Sequence, residues 1–288
     1  MTAINDTTDK NTDDIINLNT KPDLLPPRQH TVGIIDYILF LPFFLTFFSL
    51  MLFFELVERI LFKLNGITGL DTAIYYLCRS TLLTPKILFW KNSTIVNPNI
   101  YNYKNRPILI ASNHQSLLDI SLAVTIFKDW KPRFIAKREL AQKFIPGTSF
   151  YLNHGKHALI DRADSKQAIP EIKKLAEIIP TTTNGITIFP EGTRSRDGSL
   201  KDYKSGGIAI LTKVIPDLVI IPMVVDNGWR ITARKRGPID TFQTMFCKIL
   251  EPIDFREFAK ANPENTVTLL TKFIEEETIK TLNEFRKN

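Results

Sequence analysis

His114 and Asp119 lie five positions apart in the stretch SNHQSLLDI, Ser112 to Ile120, which follows an apolar run. An imidazole exchanges protons near neutral pH, and a carboxylate on one ring nitrogen leaves the other nitrogen free to act as a base. On a continuous helix the two residues would differ by about 140° around the axis and could not meet. They meet only if His114 sits in a turn and folds back over the first turn of a helix. Ser116 followed by Asp119 is a capping-box pattern that would start a helix there. A second reading leaves Asp119 as a cap alone and His114 as an ordinary turn residue.

Cations recur at comparable places. In ITIFPEGTRSRDG an apolar run ends and Glu191, Gly192, Thr193 and Arg194 follow. A guanidinium fork matches phosphate oxygens, and a glycine lets the backbone come close to a ligand. Arg162 ends GKHALIDR, and Lys137 with Arg138 lies in FIAKREL. Open α/β sheets bind ligands at the carboxyl ends of their strands, so a base and a set of phosphate grips are expected on one rim. His154 and His157 have no further ligands at metal spacing, and no metal is expected.

The elements that would position these groups begin at Pro107. Short apolar runs at 108–111, 133–136, 158–160, 186–189, 219–225 and 245–250 read as strands. Helical stretches at 117–127, 165–178 and 207–214 alternate with them, and a final amphipathic helix covers 264–286. Such alternation predicts an α/β domain with a mostly parallel sheet flanked by helices.

The N-terminal part has a different character. Residues 1–30 are polar and read as a disordered tail. YILFLPFFLTFFSLMLFF, Tyr37 to Phe54, carries no charge. As a helix of about 18 residues it is roughly 27 Å long, close to a bilayer core. Residues 55–64 continue it as an amphipathic helix; Asn65-Gly66 and Gly69 break it, and a second apolar-rich helix covers about 70–83. Residues 31–90 are therefore expected to be a membrane-associating helical segment before the α/β domain at 91–288. Lys21 and Arg28 roughly balance Arg59 and Lys63, so charge does not choose between a spanning and a re-entrant segment.

The formal charge of +7 favours an anionic partner such as phosphate or a lipid surface. The basic residues are scattered, and no nucleic-acid-binding motif accompanies them, so no nucleic acid is expected as partner. The cluster at 233–237, ARKRG, could meet anionic head groups, and Trp90 and Trp229 are candidates for the interface. Cys78 and Cys247 have no redox spacing and read as reduced thiols in a protein facing the cytoplasm.

Four blocks together resemble the glycerolipid acyltransferase family that makes phosphatidic acid from lysophosphatidic acid. Asn113-His114-x4-Asp119 looks like its catalytic box, Gly155 to Arg162 its second block, Phe189 to Arg194 its third, and Ile221-Pro222-Met223-Val224 its fourth. His157 departs from the pattern and is left without a role. The resemblance implies catalysis by His114 and Asp119, and an acceptor site at Lys137, Arg162, Glu191, Gly192, Thr193 and Arg194. It implies a lysophospholipid acceptor, a thioester donor (acyl-CoA or acyl-carrier protein), no cofactor and a membrane location. Glycerol 3-phosphate or another lysophospholipid is the alternative acceptor, and a non-enzymatic membrane-binding protein the alternative class.

Overall fold

The structure, a computed structural model, describes residues 22–27, 31–161, 163–182, 185–232 and 239–287. Among these, eight strands form one sheet: β1 (Lys91–Ile95), β2 (Ile108–Ser112), β3 (Arg133–Lys137), β4 (Ala158–Ile160), β5 (Gly185–Ile188), β6 (Val219–Asp226), β7 (Thr244–Ile249) and β8 (Ile253–Asp254). Their order is β1-β7-β6-β2-β5-β3-β4, with β8 also on β6. Strands β6, β2, β5, β3 and β4 run parallel, while β7 and β8 pair antiparallel with β6. Every residue of β2, β5 and β6 is buried, as expected of central parallel strands covered on both faces.

The helices are α1 (Ile34–Thr81), α2 (Leu118–Ile126), α3 (Arg138–Gln142), α4 (Ser149–His154), α5 (Ser165–Thr182), α6 (Gly206–Val214), α7 (Trp229–Thr232), α8 (Phe255–Ala261) and α9 (Thr266–Lys287). Strand alternation sends the two faces of β2 into different cores. Ile108 and Ile110 join the core of α1 and α2, whereas Leu109 and Ala111 join the core of α5, α6 and α9. Strand β1 was not legible as a strand: its sequence KNSTI is mostly exposed and lacks an apolar face, and its pairing with β7 holds it in place.

The expected N-terminal helices form one broken run. Asn65 and Gly66 leave helical geometry, with Gly66 at φ 56°, where a residue without Cβ avoids strain. The long first arm is tied to the α/β domain near its start and again at Glu55. Asp36 is buried and accepts from the Thr241 N–H at 2.7 Å, and Glu55 accepts from the Gly147 N–H at 2.9 Å. Between them the outward side chains, among them Leu41, Phe44, Phe48 and Leu52, are exposed. The stretch Ile34–Leu88 is long and apolar enough to cross a membrane by length and composition.

Of the segment expected to be a polar tail, residues 1–21 and 28–30 lie outside the described residues. Residues 22–27 run against α9, where Leu25 donates its N–H to Asn283 at 2.8 Å. The basic cluster at 233–237 also lies outside the described residues. Trp90 is in the core and donates to the Asp240 carbonyl rather than standing at an interface.

Candidate active site

Strand β2 ends at Ser112, and the turn that follows carries His114 between the ends of its neighbours β6 and β5. The His114 Nδ1 lies 2.9 Å from the Asp119 Oδ2, and both side chains are buried. The aspartate also accepts from the Gln115 N–H at 2.6 Å, the Ser116 N–H at 2.7 Å and the Ser116 hydroxyl at 3.0 Å. With four donors around it, this carboxylate holds Nδ1 as the protonated nitrogen and leaves Nε2 as the basic one. Ser116 in turn accepts from the Leu118 N–H; the helix starts one residue later than the capping pattern predicts, with Leu117 as its N-cap, and Asp119 serves the histidine. The imidazole stacks on Phe189 with ring centroids 3.9 Å apart.

The loop after β5 grips the backbone of the same histidine from both sides. The His114 N–H donates to Glu191 at 2.7 Å, and the His114 carbonyl accepts from the Ser195 N–H at 2.8 Å. Glu191 also accepts from the Lys201 N–H at 3.1 Å, so its carboxylate holds backbone rather than an arginine. Burial pushes the Glu191 carboxyl up to about 7, against the two backbone hydrogen bonds that favour its ionised form.

A cavity of about 250 Å³ opens beside the dyad, lined by His114 and Phe189 together with Lys137 and Arg194. The rest of its wall is mainly apolar, including Phe47, Met51, Ile74, Leu77, Ile120 and Leu152, from α1, α2 and α4. Lys137 is half-buried and pairs with Glu139 at 2.7 Å. Thr193 and Arg194 are exposed, and Gly192 closes a turn by donating to the Phe189 carbonyl. Arg162 lies outside the described residues. The structure thus brings His114, Asp119, Lys137, Glu191 and Arg194 to one rim.

His157 is half-buried, does not line the cavity, and packs its ring against Phe134 and Tyr151. Its Nδ1 accepts from the Phe134 N–H, and burial, with the Arg133 cation second, holds its pKa well below the ordinary histidine value. It is a neutral structural residue. His154 stacks on Phe150 at the surface.

Several groups that set the site had no role assigned to them from the sequence, although Asn113 was named within the first block. Asn113 exchanges two hydrogen bonds with Val225, and Gly228 packs on the dyad so closely that a Cβ there would lie 2.9 Å from the Ser116 Oγ. Asp226, the last residue of β6, accepts from the Gln115 side chain. Position at a strand end was the available signal for Asp226; Gly228 offered none.

Fold and rim together define an α/β domain that presents a hydrogen-bonded histidine–aspartate pair to a cavity lined by two cations and a mainly apolar wall. Over residues 94–226 the sequence matches the Acyltransferase family model. It is 27% identical to a 1-acyl-sn-glycerol-3-phosphate acyltransferase of Saccharomyces cerevisiae, over 54% of this chain and 50% of that protein. It is 35% identical to one from Cocos nucifera, over 43% of this chain and 39% of that protein. Each match spans half or less of the relative's own length. The fold is similar to the crystal structure of the 1-acyl-sn-glycerophosphate (LPA) acyltransferase PlsC from Thermotoga maritima. That similarity has a TM-score of 0.66 at 25% identity and covers 88% of this chain and 97% of that one.

Proposed function

We propose that this protein transfers a fatty acyl group from a thioester to the free hydroxyl of lysophosphatidic acid, giving phosphatidic acid. The observation that carries this reading is the His114–Asp119 pair opening onto one cavity shared by two cations and an apolar wall. The Nε2 of His114 takes the proton of the acceptor hydroxyl as its oxygen attacks the thioester carbonyl. The new ester C–O bond forms, the C–S bond breaks, and the imidazolium returns the proton to the leaving thiolate. Asp119 steadies the imidazolium as the acid does in serine hydrolases, and the substrate alcohol takes the place of the serine. Positioned general-base help of this kind contributes about 10²–10⁴ in rate.

Lys137 and Arg194 hold the acceptor phosphate, with Arg162, Gly192 and Thr193 assigned to the same site. The apolar wall takes the acyl chain, and the donor is acyl-CoA or acyl-carrier protein. The first arm of α1 rests in the lipid interface with its exposed apolar face, without crossing. In support, it is held by the same α/β domain at Asp36 and at Glu55, about 28 Å apart along the helix. The catalytic domain then faces the cytoplasm from the membrane surface.

The test is an acyl-transfer assay with a panel of acceptors (lysophosphatidic acid, glycerol 3-phosphate and lysophospholipids with larger head groups), each with both donor types. Lysophosphatidic acid should be preferred. Arg194→Ala should raise the KM for that acceptor and leave the donor KM unchanged. Preference for another acceptor, or an effect confined to the donor, contradicts the assignment.

A further inference from the structure

Arg286 sits in the last turn of α9, far along the chain from the catalytic turn, yet its side chain is only 3% exposed. Its Nε donates to the Asp226 Oδ2 at 2.8 Å, and its Nη2 donates to the Asp226 Oδ1 at 3.1 Å. The same Nη2 donates to the Gly198 carbonyl at 2.7 Å, and Nη1 donates to the Leu25 carbonyl. Gly198 belongs to the loop that carries Glu191 to Ser195, and Leu25 to the segment lying on α9. Asp226 in turn accepts from the Gln115 Nε2 at 3.0 Å and from the Asn227 N–H at 2.9 Å. Gln115 adjoins His114, and its own N–H is bound by Asp119.

One guanidinium therefore joins the end of β6, the loop after β5 and the N-terminal segment, and through Asp226 it reaches the catalytic turn. Burying such a pair is a poor route to stability, because the loss of hydration offsets most of the attraction. What a rigid fork with fixed donor directions does well is hold several backbones in one geometry. Given the base role of His114 proposed above, we propose that Arg286 and Asp226 are positioning residues for acyl transfer, acting through Gln115 on the orientation of His114. Neither touches the substrate.

The test compares kcat and KM of the full chain for lysophosphatidic acid and acyl-CoA in wild type, Arg286→Met, Gln115→Leu and the double variant. His114→Ala is the inactive reference. Arg106→Met is a structural reference, since Arg106 pairs with Asp254 at the opposite, amino-terminal ends of β2 and β6. A displacement of about 1 Å at a reacting group costs on the order of a hundredfold, so Arg286→Met and Gln115→Leu should each lower kcat roughly ten- to a hundredfold and change neither KM more than about twofold. The double variant should be no slower than the slower single variant, because both cut one link. Arg106→Met should lower the unfolding midpoint and keep kcat.

An unchanged kcat in Arg286→Met beside an active wild type overturns this proposal alone, as does a double variant whose loss is the product of the two single losses. Gln115→Leu keeps the ion pair in place, so an unchanged kcat there is equally contrary even where Arg286→Met does not fold. A wild type silent on every acceptor overturns the functional reading, and this proposal with it.

Discussion

Asn113 and Val225 exchange a reciprocal pair of hydrogen bonds: the amide Nδ2 donates to the Val225 carbonyl at 2.8 Å, and the Val225 N–H donates to the Oδ1 at 2.8 Å. The side chain acts as one more rung between β2 and β6 after the backbone of β2 has turned away. It fixes where the next residue, His114, leaves the sheet. Asn113 is buried, so truncation strands both backbone groups of Val225. Asn113→Ala should cost about 1–3 kcal/mol of stability, read by denaturant unfolding, and should lower kcat as well. An Asn113→Ala protein of normal stability and activity contradicts this role.

Gly228 tests how tightly the dyad is enclosed. A methyl group there would lie 2.9 Å from the Ser116 Oγ and 3.3 Å from the Asp119 Oδ1. One of these groups has to move, and both support the imidazole. Gly228→Ala should reduce kcat by about tenfold or more with little change in either KM, in keeping with the sensitivity of catalysis to small displacements. Steady-state kinetics that show wild-type kcat would mean the turn yields without disturbing His114.

Glu191 predicts a pH effect on stability. Its carboxyl is raised from the ordinary 4.5 to about 7, mainly by burial. Between these values the folded protein binds more protons at this site than the unfolded chain, so its contribution to stability falls as pH rises through that range. Glu191→Gln does not titrate and keeps an oxygen to accept from the His114 N–H. The difference in unfolding midpoint should therefore move in favour of the variant as pH increases from 4.5 to 7 and then level off. A difference independent of pH contradicts the raised value.

Particular residues show what was legible in the sequence. The runs at β2, β5 and β6 were plain because both faces of each strand are buried, leaving mostly apolar sequence. The His114–Asp119 contact was legible because it is local, closed by one turn whose capping residues advertise it. Strand β1 was not, since its stability comes from β7 rather than from an apolar pattern of its own. Glu191 stood out in the sequence as a candidate, but its engagement with the His114 backbone depends on two strand ends lying side by side. Arg286 was invisible for the same reason: an arginine near the end of an amphipathic helix reads as solvated until the chain brings Asp226 to it.

His114 as the base is tested most directly by acyl transfer to lysophosphatidic acid by His114→Ala beside Asp119→Asn, with folding and membrane association checked for each. His114→Ala should lose activity entirely, and Asp119→Asn should fall by about 10²–10⁴ in kcat with the acceptor KM nearly unchanged. A folded His114→Ala protein that still transfers acyl groups at a rate near wild type would contradict it.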